Sequence, residues 1–112
     1  MIKISICIPT YNRAECLVNC LNSIKLNSSK FNNEVEVCIS DNCSTDQTEE
    51  VVRNAQEHLC IKYHKNSKNL GIPFNFLNVV DMAGGEFVWL LGDDDLLIPS
   101  AFAQIINLID SY

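Results

Sequence analysis

Lys3-Ile4-Ser5-Ile6-Cys7-Ile8-Pro9-Thr10-Tyr11-Asn12-Arg13 is the stretch that decides the fold. Its isoleucines alternate with Ser5 and Cys7, but Cys7 is itself apolar. The run therefore reads as a short strand buried on both faces. Pro9 ends it, and Thr10-Tyr11-Asn12-Arg13 is a polar turn. Asn12 with Glu15 three residues on has the form of a capping box. Leu17, Cys20, Leu21 and Ile24 then recur at helical spacing. A doubly buried strand followed at once by an amphipathic helix opens a parallel α/β unit.

Moving outward, the same unit repeats. The first helix runs out in the polar cluster Asn27-Ser28-Ser29. Val35-Glu36-Val37-Cys38-Ile39-Ser40 is a second strand, ending in the turn cluster Asp41-Asn42-Cys43-Ser44-Thr45-Asp46. Ser44 with Gln47 again fits a capping box. Val51, Val52, Ala55 and Leu59 mark the apolar face of the next helix, and Ile61-Lys62-Tyr63-His64 a third strand. After the loop Asn66-Ser67-Lys68-Asn69-Leu70-Gly71, Ile72-Pro73 opens a third helix. Phe76, Leu77, Val80 and Ala83 are expected on its buried face, and Gly84-Gly85 ends it. A fourth strand is expected over 86–91. Pro99-Ser100 opens a last helix with Phe102, Ile105, Ile106 and Ile109 inward. Four strands alternating with four helices predict an α/β fold with a parallel sheet and right-handed crossovers, as one domain over 1–112.

The chain has 112 residues, 47% of them hydrophobic, enough to bury a core. Its net charge of −6 argues against a sequence-independent grip on nucleic acid, which needs clustered Lys and Arg. A small phosphorylated ligand stays open, because a divalent cation can supply positive charge locally. Cys7 and Cys38 lie in apolar strand runs, and Cys16 and Cys20 share a helix face with Leu17 and Leu21. The six cysteines show no CxxC pair and no zinc spacing, so they read as reduced, structural thiols in a reducing compartment. Met1-Ile2-Lys3-Ile4 begins a strand pattern, not a secretory leader. The expected location is cytoplasmic.

Three polar clusters fall at strand ends, where parallel sheets bind ligands. They are Thr10-Tyr11-Asn12, Asp41-Asn42 and Asp93-Asp94-Asp95. The last follows the apolar run Phe87-Val88-Trp89-Leu90-Leu91-Gly92. Two unit charges about 4 Å apart cost roughly 4 kcal/mol at an effective dielectric near 20. A hard divalent cation would offset that repulsion, and a solvated acidic turn is the plainer alternative. There is no GxGxxG after the first strand and no GxxxxGK[ST], which disfavours a dinucleotide fold or a P-loop. His58 and His64 read as surface residues, Trp89 as core, and Lys65 and Lys68 as solvated loop charges.

These residues resemble a known family. Ile8-Pro9-Thr10-Tyr11-Asn12-Arg13, Ser40-Asp41-Asn42-Cys43-Ser44-Thr45-Asp46, Asn69-Leu70-Gly71 and Gly84-Gly85-Glu86 through Asp93-Asp94-Asp95 occur in the order and spacing of the amino-terminal half of an inverting, family 2 type glycosyltransferase with the GT-A fold. The resemblance covers essentially the whole chain. It implies a three-layer α/β/α sandwich with a mainly parallel sheet, truncated relative to a full domain. It implies a nucleotide-sugar site made by Pro9, Thr10, Tyr11, Asn12, Asp41, Asn69, Asp93 and Asp94. Asp41 matches a carboxylate that accepts from uracil, so a UDP-sugar is the expected donor. The triplet matches the family's DxD element, with Asp94 and Asp95 as ligands of Mg²⁺ or Mn²⁺ bridging the diphosphate.

The match has departures. Gly92 stands where the commoner element has its first Asp, and Ser40 replaces the first of a commoner Asp-Asp pair. No residue after Asp95 matches the family's catalytic base. The expectation is donor binding without sugar transfer by this chain alone. In a longer protein the acceptor would be a glycan or a lipid-linked sugar, at a cytoplasmic or peripheral inner-membrane location, in surface polysaccharide synthesis. Two alternatives stand beside this one. One is a non-catalytic interaction or regulatory module lacking the acceptor half, and the other is metal-dependent phosphoryl transfer, which would want a further acid at the end of the first strand. Self-association of the chain through a sheet edge or apolar patch is a separate expectation.

Overall fold

Ile4, Ile6 and Ile8 point to one side of the first strand, and Ser5, Cys7 and Pro9 to the other, because side chains alternate along extended backbone. In the computed structural model, which describes residues 1–28, 31 and 33–112, that strand is β1 (Ile4–Thr10). It is followed by α1 (Ala14–Ser28), β2 (Val35–Asp41), α2 (Thr48–Ala55), β3 (Ile61–Lys65), α3 (Ile72–Asp81), β4 (Phe87–Leu90) and α4 (Ala101–Asp110). The strand order is β3-β2-β1-β4, and every pairing is parallel. The expected strand–helix alternation is therefore observed. Ser29, the end of the predicted polar cluster, lies outside the described residues.

The two faces of the sheet differ in chemistry. On one, Ile4, Ile6, Ile8, Val35, Val37 and Ile39 pack against Leu17, Cys20, Leu21 and Ile24 of α1, Val52 of α2, and Phe102 and Ile106 of α4. Each fully buried aliphatic side chain contributes about 1.5–3 kcal/mol. The other face places Ser5, Cys7 and Pro9 beside Glu36, Cys38 and Ser40. There α3 packs Val79, with Met82 and Ala83 just beyond it, on Cys7 and Cys38. Helices on both faces make three layers.

That polar face explains where the sequence misled. Phe76, Leu77 and Val80 were expected to be buried, but α3 buries Asn75 and Val79. Phe74 and Leu77 are 63% and 66% exposed. Ser40 and the strand-end carbonyls beneath α3 need a polar partner, and Asn75 supplies it. Its amide donates to Ser40 O at 3.0 Å, and its Oδ1 accepts from the Ser40 hydroxyl at 2.7 Å. β4 is an edge strand with Phe87, Val88 and Leu90 exposed and Trp89 only partly buried against the core.

The expected capping boxes are also replaced. Asn12 is left-handed (φ 50°), and its Oδ1 accepts from Thr45 N–H at 2.7 Å rather than from α1. Ser44 Oγ accepts from Asn12 N–H at 2.8 Å, and Asp46 accepts from Ala14 and Thr48 N–H. Asp46 of the loop after β2 thus caps α1 as well as its own helix, while Asn12 of the loop after β1 holds that loop in place, a pairing between distant segments that no local pattern contains.

At the N-terminal end of the sheet, Glu36 accepts from the Ser5 hydroxyl at 2.6 Å and Gly84 N–H at 2.7 Å, and pairs with Lys62 at 3.1 Å. Burial alone would raise its pKa, but these partners outweigh burial and hold it below the usual value. Gly85 N–H donates to Ser5 Oγ, and a Cβ there would stand 2.8 Å from that oxygen and 3.0 Å from Ile4 backbone. Only glycine passes so close. This latch ties the turn before β4 to β1 and β2, and so sets where the chain after β4 emerges. Cys7, Cys20 and Cys38 are buried. Burial pushes the Cys20 thiol up to about 12, so it packs as a neutral small hydrophobe.

Candidate functional site

Because the strands are parallel, the chain leaves β1, β2 and β4 at one edge of the sheet. A cleft of about 370 Å³ opens there, lined by Pro9, Thr10, Tyr11, Arg13, Asn42, Ile72, Asn75, Phe76, Gly92, Asp93 and Asp94. Of the residues singled out from sequence, it brings together Pro9, Thr10, Tyr11, Asp93 and Asp94. A second hollow of about 280 Å³ lies between α1 and α2, lined by Val18, Lys25 and His58 among others.

Asp41, Asn12, Asn69 and Asp95 do not line the cleft. Strand alternation turns Asp41 to the aliphatic side of the sheet, where it is fully buried. Its two oxygens accept from the Tyr63 hydroxyl at 2.6 Å and Ser44 N–H at 2.9 Å. Burial first, and then that carboxylate, raise the Tyr63 pKa. The next residue, Asn42, is the one on the cleft wall. Its Oδ1 accepts from Asn66 and from Leu70 N–H, and its amide donates to Asn69 Oδ1 at 2.8 Å. Asn66 in turn donates to Asn75 Oδ1 at 3.1 Å. A buried chain of asparagine amides therefore fixes the cleft floor. Asn66 and Asn75 were not singled out from the sequence, and the available signal was their number near one predicted loop. Cys43, at φ 70°, makes the turn that separates Asn42 from Ser44, a backbone shape costing a non-glycine residue about 1 kcal/mol or more.

The acidic triplet divides into three roles. Asp93 is buried, and its Oδ2 accepts from the Thr10 hydroxyl at 2.9 Å. Burial raises its pKa, with the Thr10 bond and Arg13 pulling the other way and Asp94 adding to the rise. Asp94 is open, its side chain 57% exposed. Asp95 closes the turn: its Oδ2 accepts from Gly92 N–H at 2.9 Å. A Cβ on Gly92 would meet Asp95 Oδ2 at 2.9 Å and Asp94 Oδ1 at 3.0 Å, so the ends of those two side chains would have to shift to accept one. Arg13, another lining residue the sequence reading did not assign, reaches Asp93 Oδ1 at 3.4 Å and Asp94 Oδ2 at 3.3 Å.

Among the described residues no three His, Cys, Asp or Glu side chains are grouped to hold a metal. Asp94 Oδ1 and Asp95 Oδ2 lie 3.0 and 2.9 Å from the point a Gly92 Cβ would occupy, so two hard oxygen donors stand near one point, the Asp95 oxygen already accepting from Gly92 N–H. One or two carboxylates, completed by phosphate oxygens and water, suit Mg²⁺ or Mn²⁺. The donor set fits such an ion as part of a phosphate complex, and not as a closed protein cage.

The family model described as Glycosyl transferase family 2 matches residues 5–112. The chain belongs to glycosyl transferase family 2. It is 49% identical over 111 residues to abequosyltransferase RfbV of Salmonella typhimurium, covering 96% of this chain and 33% of that protein. It is 37% identical over 109 residues to a GalNAc(5)-diNAcBac-PP-undecaprenol beta-1,3-glucosyltransferase of Campylobacter jejuni, covering 34% of it. The crystal structure of Staphylococcus aureus TarS 1-349 in complex with UDP-GlcNAc superposes with a TM-score of 0.92 at 31% identity, over 98% of this chain and 32% of that one. The mannosyltransferase PcManGT of Pyrobaculum calidifontis, solved with GDP-Man and Mn²⁺, shares the fold at a TM-score of 0.83 and 24% identity, over 93% of this chain and 31% of that one. The fold of this family 2 chain is thus the GT-A fold, and the chain spans about a third of the length of these relatives. Among the described residues, no helix is long and apolar enough to cross a membrane.

Proposed function

We propose that this chain is the nucleotide-sugar-binding portion of an inverting glycosyltransferase that takes a UDP-sugar with Mg²⁺ or Mn²⁺. The observation that carries the reading is the convergence of three strand ends on one cleft, whose lining includes Tyr11 and Asn42 together with Asp93 and Asp94. Pro9, Thr10 and Tyr11 would lie against base and ribose. Asn42 takes the base-facing place that the family resemblance implies for Asp41, whose carboxylate is bonded to Ser44 and Tyr63 behind it. An amide can donate and accept, so it reads an imide edge without needing a charge. Asn12 and Asn69 hold the surrounding loops. Asp93, pinned by Thr10, shapes the ribose–phosphate end.

Asp94 and Asp95 would hold the divalent ion. When bound, it neutralises charge on the departing nucleoside diphosphate. No residue of this chain is assigned as the base that deprotonates an acceptor, so the reading is donor binding and not complete transfer. A glycan or lipid-linked acceptor, in surface polysaccharide synthesis, and a cytoplasmic location peripheral to the inner membrane face complete the proposal.

Calorimetric titration of the chain with UDP in the presence of Mn²⁺ tests it. Saturable binding that weakens at least about tenfold in Asp94→Asn is expected, the loss of one charge-assisted contact. No heat at millimolar UDP would sink the reading. A second reading is favoured by the exposed Phe87, Val88 and Leu90 of the edge strand and by the exposed Phe74 and Leu77 of α3: a non-catalytic module that self-associates. Light scattering separates the two, because that module would be a dimer or larger whether or not it bound UDP.

A further inference from the structure

The acidic rim of the cleft already holds a cation of the chain's own. One Arg13 guanidinium spans Asp93 Oδ1 at 3.4 Å and Asp94 Oδ2 at 3.3 Å. We infer that Arg13 is a positioning residue that occupies the acidic rim of the cleft and yields it to a divalent cation more readily when a nucleoside diphosphate comes with that cation, so that metal and nucleotide bind as a coupled pair. This deepens the donor-site reading above and rests on it.

The geometry of Arg13 suits such an exchange. Its backbone is fixed: Arg13 O accepts from Leu17 N–H in the first turn of α1, and the next N–H, of Ala14, donates to Asp46. Its side chain is 48% exposed and, among the described residues, its one other polar partner is a weak acceptor, Cys16 Sγ at 3.8 Å. The root is rigid and the head can swing. The other ion-paired cations are engaged elsewhere, Lys3 with Glu34 and Asp110, Arg53 with Glu49, and Lys62 with Glu36. Arg13 is therefore the cation that an incoming metal meets at Asp94.

A guanidinium keeps its proton throughout the working pH range. It can leave the carboxylates only by moving, and it moves readily only if another anion receives it. A diphosphate is such an anion, and its oxygens match the guanidinium fork. A bare metal ion must displace Arg13 with nothing offered in return. A metal–diphosphate displaces it and takes the freed fork onto phosphate oxygens. Discrimination against free metal and against uncharged nucleosides follows from one residue.

The test is Mn²⁺ binding followed by electron paramagnetic resonance, for the unmodified chain, Arg13→Gln, Arg13→Lys and Asp94→Asn, each without UDP and with saturating UDP. Exposed ion pairs of this kind are individually weak, so Arg13→Gln should bind Mn²⁺ alone about three- to tenfold tighter than the unmodified chain. With UDP present that advantage should vanish or reverse. Arg13→Lys should fall between, because a single ammonium does not span two carboxylates as a planar fork does. Unchanged or weaker Mn²⁺ binding by Arg13→Gln without UDP overturns the inference, and weakening by an equal factor in both conditions would mark Arg13 as a merely structural prop. If no variant binds Mn²⁺ even with UDP, or Asp94→Asn binds it as well as the unmodified chain, the donor-site reading itself fails.

Discussion

Glu36 and Asp93 are both buried carboxylates at the ends of the same sheet, yet their surroundings push them in opposite directions. Glu36, at the N-terminal end, has a hydroxyl, a backbone N–H and an ammonium around it, and stays below its usual pKa. Asp93, at the C-terminal end, has one hydroxyl and a long contact to a half-exposed arginine, and burial raises it. The first carboxylate is saturated by parts of the fold that cannot move apart without unfolding. The second keeps unspent capacity facing a cleft. The left-handed residues Asn12 and Cys43 also lie at the second end. One end of the sheet is tied together by neutralised contacts, and the other gathers left-handed backbone and charge beside the cleft proposed as the donor site.

The largest effect should come from the saturated end. Glu36→Ala leaves the Gly84 N–H and the Ser5 hydroxyl without their acceptor and Lys62 with only Met82 O, and should cost about 2–4 kcal/mol in urea unfolding. A loss below about 1 kcal/mol would erase the contrast between the two ends. Stability should also respond to acid through this group. Its folded pKa is depressed, so its contribution is complete above the unfolded-chain value and fades as pH falls through the lower folded value. Asp93, being raised, works the other way: the native state gains as pH falls from the folded toward the unfolded value.

Gly85→Ala comes next, because its Cβ would press on Ser5 and Ile4 backbone; about 1–3 kcal/mol of destabilisation is expected by thermal unfolding. Asp93→Asn should change stability by less than about 1 kcal/mol, in the stabilising direction, since it removes a desolvated charge. The same variant should lose UDP–Mn²⁺ affinity. A marked loss of stability would make Asp93 a second latch like Glu36. The smallest expected effect is Cys43→Gly, which relieves a left-handed backbone and should gain up to about 1 kcal/mol. A loss there would mean that no strain is stored at that turn.

The order of elements was legible in the sequence because β-branched runs and the α1 pattern of Leu17, Cys20, Leu21 and Ile24 answer to an aliphatic sheet face. The orientation of α3 was not. Its buried side faces Ser40 and strand-end carbonyls, so the residue that fits is Asn75, and a hydrophobicity pattern points the other way. The acidic triplet was legible as a cluster, while its division into a pinned Asp93, an open Asp94 and a turn-closing Asp95 depends on Thr10 and Gly92 in space. Asp41, expected at the nucleotide site, lies instead on the aliphatic side of the sheet against Tyr63 and Ser44, for a simpler reason. A one-residue step along a strand reverses the side chain, and the cleft side belongs to Asn42.

The most direct test of the contrast is a nitrogen–proton correlation spectrum of the chain titrated with UDP and Mg²⁺. The account predicts shifts concentrated on Tyr11, Arg13, Asn42, Asp93 and Asp94, with Ser5, Glu36, Gly84 and Gly85 unmoved. Shifts centred on Val18, Lys25 and His58 in the hollow between α1 and α2, or no saturable shift at the strand ends, would contradict it.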